Sequence, residues 1–450
     1  MSDNKIVIIG GGPCGLGAAI RLTELNHNNW VLFEKEDKCG GLSSTDIDNH
    51  GFLWDRGGHI TFSHYDYFDK VVNSCVKKWI THERESWIWM KDRFIPYPFQ
   101  NNIHRLPKED IVACLLPLIK SVSEKDYTKL SSNFDEWLLN NFGKGLYDIF
   151  LKPYNEKVWS YPLDTLGIDW MGERVSKINL DKILTNTIMG LDDISWGPNS
   201  TFKFPSRGGT GEIWKNMASC MPNIKYKSEV ITIDTQNKVI EVFKDGKVVQ
   251  ESYDYLINTM PIPELLQISG LKNLTSLTHS STHIVGIGLM GEVPEKLRRK
   301  CWMYFPESNC PFYRATVFSN YSPNNVLNSE YWSLMVEVSG GKIKDINTVR
   351  DCIDGAENTK LIDKKNIVNI WDKFLPYGYP TPTKDRDYIL NTVQPVLKGL
   401  NVYSRGRFGG WKYEVGNMDH SFMQGVEAID NIMTGEYENT YYKPNLVNKI

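Results

Sequence analysis

The sequence predicts an α/β protein: a Rossmann-like nucleotide-binding domain split between both chain ends, with an inserted helical domain and a mostly antiparallel β-sheet domain. Three observations predict it. A glycine motif lies between a strand-like and a helix-like run near the N-terminus. The segment from about Leu106 to Met189 repeats apolar residues three or four apart, and the last fifty residues return to strand, glycine turn and helix.

The glycine motif reads IVIIGGGPCGLGAAIRL, with Gly10, Gly12 and Gly15 at G-x-G-x-x-G spacing. In such a turn the first glycine permits the bend, the second lets the backbone approach a pyrophosphate, and the third lets helix and strand pack closely. The anion then sits on the helix N-terminus, where unpaired N–H groups and the helix dipole favour negative charge. A second strand, WVLF, ends at Glu34, about 20 residues beyond the glycines, where a carboxylate suits a ribose hydroxyl. A solvated strand end is the other reading of Glu34. The same spacing recurs at Gly286, Gly288 and Gly291, but Pro294 follows and no helix opens there, so this copy is expected to be structural.

Composition narrows the function. At 450 residues the chain is long enough for two or three domains, and its net charge of −3 favours neither nucleic acid nor an acidic membrane as partner. The 8 cysteines form no C-x-x-C pair and no zinc spacing, so no metal is expected, and a reduced, cytoplasmic setting is. The longest apolar run, Ile111 to Ile119, contains Pro117 and is too short to span a bilayer. Aromatic content is high at 12%, with 14 Trp and 22 Tyr, and the rings gather around Arg and Asn, as in a pocket for a planar phosphorylated ligand.

Along the chain, strand, helix and strand are followed by the glycine-rich CGGLSS and DRGGHITFSHY. SWIWMKDRFIPYPF reads as a hairpin turning at Lys91-Asp92. Helical patterns then run through KEDIVACLLPLIKSV, NFDEWLLNNF and KGLYDIFLKPYNEKVW, and strand-like segments dominate from about Thr201 to Phe318. The expected division is 1–85, 203–265 and 395–450 for the nucleotide domain, 105–190 for the helical domain, and 86–104 with 266–394 for the β-sheet domain.

Long blocks now carry more than the glycine pattern does. GGHITFSHYDYFD, IPYPFQNNIHRLPKE, KPYNEKVW, WGPNSTFKFPSRGGTGEIW, CWMYFPESNCPFYRATVFSNYSP, GYPTPT and SRGRFGGWKYEVGNMDHSFMQGVEA resemble, in order and over nearly the whole chain, those of eukaryotic-type UDP-galactopyranose mutases. The resemblance implies an isomerase that binds FAD and interconverts UDP-galactopyranose and UDP-galactofuranose without net redox change. It implies UDP-galactose as small-molecule substrate and NADPH as reductant. It further implies that reduced flavin N5 attacks the anomeric carbon, displaces UDP, and holds the sugar as an iminium while the ring opens and recloses. The segment after Ser322 and the C-terminal tail are short where relatives use them in assembly, which leaves a monomer or a small homo-oligomer open.

Site residues follow from the matched blocks. The resemblance implies flavin contacts at Gly10, Gly12, Gly15, Glu34, Gly41, Leu42, Gly57, Gly58 and His59, and at Arg407, Asn417, Met418 and Ser421. The turn before the last helix would place a helix N-terminus at the negative charge of reduced flavin. His59 is expected to act beside the flavin and respond to its redox state. Arg174 and Arg314 match the diphosphate arginines, with Tyr304, Tyr379 and Tyr413 around the same group, and Trp302 is a further substrate-binding residue of the matched blocks. Tyr97, Phe99, Gln100, Phe150, Asn155 and Trp159 match the uridine subsite and Asn199 a flap residue, with plain packing the other reading of Phe99 and Phe150. Two rival functions share the motif: an amine-oxidase-like flavoprotein, and a flavin-free escort protein of related fold.

Overall fold

The computed structural model describes residues 4–124, 130–172, 178–194, 200–272, 276–341 and 343–448. Strand β1 (Ile6–Ile9), helix α1 (Pro13–Glu24) and strand β2 (Trp30–Phe33) form the expected opening. β1 lies inside a five-stranded parallel sheet, flanked by β2 and by Tyr255–Asn258, with Val402–Ser404 and Ile224–Lys225 at the edges. The sheet therefore takes strands from both chain ends and from the middle. Period-two alternation decides its two faces. Ile6 and Ile8 pack with Leu16, Trp214 and Phe422 on one side, whereas Val7 and Ile9 pack with Leu256, Ile262 and Leu390 on the other.

A seven-stranded mixed sheet forms the second layer; only the pairing of Trp302–Tyr304 with Ser86–Met90 is parallel. The hairpin Ser86–Met90 and Arg93–Pro96 turns at Lys91 and Asp92, whose φ angles of 49° and 58° suit a tight primed turn. The recurrent glycines fall within the strand His279–Met290 and at its end. A Cβ on Gly286 would lie 2.6 Å from the Trp54 ring and one on Gly288 2.8 Å from the Phe52 ring, so these glycines make room for two aromatic rings under the sheet.

The helices Lys108–Ser123, Phe134–Leu146, Lys152–Trp159 and Leu180–Met189 cover the hairpin, with Ile88, Met90 and Ile95 in the same core as Phe134, Leu138 and Phe142. Helices Ile262–Ile268 and Arg386–Gly399 run across the expected edges at 265 and 395 and pack their apolar faces on the parallel sheet. Among the described residues no helix is long and apolar enough to cross a membrane.

Candidate active site

A cleft of about 1020 Å³ runs from the tip of the parallel sheet to the edge of the mixed sheet. At its sheet end the three motif glycines do different work. Gly10 has φ of +95°, and a Cβ there would lie 2.2 Å from Thr259 Oγ1; a Cβ on Gly15 would lie 1.9 Å from the Gly10 carbonyl oxygen. Both are demanded by the fold. Gly12 meets nothing within 4 Å, so it holds space open in front of the α1 N-terminus. The buried Glu34 accepts the Gly11 N–H at 2.6 Å through Oε2 and the Glu36 N–H at 2.8 Å through Oε1. Burial pushes its carboxyl upward, against those two backbone donors. Each oxygen keeps a lone pair for a hydroxyl in the cleft. Glu36 in turn is gripped by Arg56 at 2.8 and 2.7 Å.

A second helix, Met418–Thr434, also aims its N-terminus into the cleft, where Gly416, Asn417, Met418 and Ser421 line the wall. It reaches there because it crosses α1 backbone to backbone. A Cβ on Gly17 would sit 2.2 Å from the Phe422 carbonyl oxygen, and one on Gly425 1.9 Å from that of Cys14. The crossing brings two helix N-termini to one ligand space, a paired site for negative charge.

At the other end, Gly57, Gly58 and His59 pass over the mixed sheet. The buried Glu337 accepts the Gly58 N–H at 3.1 Å and the Tyr313 hydroxyl at 3.0 Å. It also takes Arg314 Nε and Nη2, each at 2.7 Å. Burial raises its carboxyl, but the Arg314 charge and these donors prevail and hold it below the usual range. His59 Nδ1 is buried with no hydrogen-bond partner among the described residues. Burial depresses its imidazole to about 4, Arg314 and Arg407 adding to that effect and Glu337 opposing it. Arg407 donates to the carbonyls of Gly378 at 3.0 Å and Gly416 at 3.1 Å, lying 5.1 Å from the Tyr379 ring centre. Tyr379 and Tyr313 share a hydroxyl contact of 3.2 Å. Burial raises the phenols of Tyr304 and Tyr379, so both remain donors at neutral pH.

The structure brings most sequence-predicted residues to this cleft. Gly10, Gly12, Glu34, Gly41, Leu42, Gly57, Gly58, His59 and Arg407 line it, as do Tyr97, Trp302, Tyr304, Arg314, Tyr379 and Tyr413. Five others are not among the residues that line it. Phe99 and Phe150 stack on each other at 4.6 Å within the helical core, beside the buried Gln100. Asn155 donates to the Leu151 carbonyl at 2.7 Å. Trp159 packs on Trp170, Tyr379 and Tyr413, supporting the tyrosines from the rear. Arg174 and Asn199 lie outside the described residues. Sequence reasoning missed Glu337, Tyr313, Arg56 and Arg84, all on the cleft wall. The available signal for Glu337 was a lone carboxylate in the apolar run YWSLMVEVS. No metal was expected; among the described residues His64, Asp419 and His420 bring ligand atoms within 4.8 Å, with His64 Nδ1 2.8 Å from Asp419.

The family described as flavin containing amine oxidoreductase matches residues 13–281. A solved reduced UDP-galactopyranose mutase superposes with a TM-score of 0.95 at 45% identity, covering 99% of each chain. The chain belongs to the UDP-galactopyranose mutase family. Lower identities show the shared fold alone. A fatty acid isomerase from P. acnes gives a TM-score of 0.65 at 15% identity, over 96% of this chain and 100% of that one. A putrescine oxidase gives 0.61 at 14%, over 96% and 99%. Flavin is the cofactor of this mutase-family chain, and its residues fit a flavin dinucleotide: open space at Gly12, two helix N-termini, a buried carboxylate lining the cleft at Glu34 and an unpartnered His59 nitrogen. The flavin-free escort reading loses its support.

Proposed function

We propose that this chain interconverts UDP-galactopyranose and UDP-galactofuranose, holding FAD that must be reduced, with NADPH as reductant. One observation carries the reading: 45% identity to a reduced UDP-galactopyranose mutase across 99% of both chains. The charge of the cleft supports it. Arg84, Arg314 and Arg407 line the end away from Glu34, which suits a diphosphate and repels the cationic amine that an amine oxidase must admit.

Gly12 and the α1 N-terminus would hold the FAD pyrophosphate, Glu34 its ribose, and the Met418–Thr434 N-terminus the charge of the reduced ring. Reduced flavin held there would supply a nucleophilic nitrogen, and the cleft's own residues would bind the diphosphate leaving group. Arg314 spends two of its nitrogens on Glu337, so Nη1 is the edge it has left for that diphosphate. Tyr304 and Tyr379 add neutral donors, which strengthen as charge develops on the leaving oxygens. His59 stays uncharged near neutral pH and exchanges hydrogen bonds beside the ring without adding positive charge. Arg174 and Asn199 are assigned to the substrate on the matched blocks.

Incubation of the dithionite-reduced protein with UDP-galactofuranose, followed by chromatography, tests the reading. UDP-galactopyranose should form with the reduced protein and not with the oxidised one. Absence of conversion in both states, or hydrogen peroxide release on addition of amines, overturns it.

A further inference from the structure

Glu337 joins parts of the cleft that no contiguous sequence connects. It stands in the strand Tyr331–Gly340 opposite Arg314, and 2% of it is exposed. Its Oε1 accepts Gly58 N–H at 3.1 Å and Arg314 Nε at 2.7 Å. Its Oε2 accepts Arg314 Nη2 at 2.7 Å and the Tyr313 hydroxyl at 3.0 Å, and that hydroxyl meets Tyr379 at 3.2 Å. The glycine loop rests on the carboxylate directly: a Cβ on Gly58 would lie 3.3 Å from Oε1 and 2.9 Å from Trp302 Nε1. An arginine held by two parallel bonds has one orientation, so its remaining edge faces the cleft without reorganisation when the ligand arrives. The same carboxylate fixes the Gly57–Gly58 peptide, one residue ahead of His59.

We propose that Glu337 is a positioning residue which sets the Arg314 guanidinium toward the substrate diphosphate and ties it to the Gly57–His59 loop beside the flavin. This rests on the site reading given above. A scaffold role alone would demand burial and stability; the proposed role demands that both ends of the cleft respond together.

The test uses the flavoprotein as purified, with UDP as probe, and the variants Glu337→Gln and Glu337→Asp. Glu337→Gln preserves shape but replaces one acceptor oxygen with a donor. It should weaken UDP binding to the oxidised enzyme at least tenfold, lower kcat by a similar factor, and displace the midpoint potential of the bound flavin. Glu337→Asp keeps the charge but is one methylene short. It should restore UDP binding to within threefold while leaving the potential displaced, because Arg314 can follow the carboxylate and the Gly58 peptide cannot. Parent-like UDP affinity and potential in Glu337→Gln, with only the melting temperature lowered, overturns the proposal. Should Glu337→Gln lose its flavin, Glu337→Asp decides alone: a displaced potential supports the coupling and a parent-like one refutes it. If the parent itself fails to convert UDP-galactofuranose, the proposed activity falls, yet the flavin potential of these variants still decides the role of Glu337.

Discussion

Two glycines three positions apart in the same motif, Gly12 and Gly15, should separate ligand binding from folding. Gly12 has φ of −76° and ψ of −177°, a conformation alanine adopts without strain, and a Cβ there meets nothing within 4 Å. Gly12→Ala should therefore fold normally, gaining about 0.4–1 kcal/mol from the restricted unfolded chain. The methyl would fill the space in which the pyrophosphate lies, and overpacking of about 1–3 kcal/mol corresponds to roughly 5- to 150-fold weaker flavin binding. At Gly15 the Cβ would lie 1.9 Å from the Gly10 carbonyl oxygen, against 3.4 Å for ordinary contact, so strand and helix must part by 1.5 Å (3.4 − 1.9). Gly15→Ala should cost about 3 kcal/mol or more before any ligand is considered. Fluorescence titration of flavin-depleted protein and its thermal midpoint measure the two effects separately. A Gly12→Ala protein that binds flavin as tightly as the parent, or melts as low as Gly15→Ala, would refute the division of labour.

Three further outcomes follow from named contacts. Gly425→Ala puts a methyl 1.9 Å from the Cys14 carbonyl oxygen and should part the two helices that converge on the cleft, costing about 3 kcal/mol and lowering the flavin-to-protein ratio; full flavin content at an unchanged melting temperature would count against it. His59 is depressed to about 4 from an ordinary 6.5, so between those values the unfolded chain binds a proton that the folded chain refuses. Its contribution is full above pH 6.5 and falls as pH drops toward 4; thermal melts across that range should slope less for His59→Asn, and identical slopes would sink the assignment. Lys157 donates to the carbonyls of Phe305, Glu307, Cys310 and Phe312 at 3.1, 2.5, 2.8 and 3.4 Å, which staples the loop between Tyr304 and Arg314. Stranding these acceptors costs about 1–3 kcal/mol each where buried, so Lys157→Met should melt several degrees lower and bind UDP more weakly; a parent-like melt would contradict the staple.

What the sequence determined by itself is what local rules govern. The spacing of Gly10, Gly12 and Gly15, the alternation of Ile6 to Ile9 and the Lys91-Asp92 turn depend on φ, ψ and side-chain period, which neighbouring residues fix. The absence of a helix after Gly286 was legible for the same reason, although its cause, the Trp54 and Phe52 rings pressed under the strand, was not. Tertiary structure alone decided which side chains face the ligand. Tyr97 lines the cleft while Phe99, two residues on, stacks on Phe150 in the core, and nothing in PYPFQNN separates them. Glu337 gathers Arg314, 23 positions away, and Gly58, 279 positions away, onto one carboxylate. Burial and partnership belong to pairs of distant segments rather than to either one, so the charge that organises this site emerges only when the strand Tyr331–Gly340 lies beneath the Gly57–His59 loop.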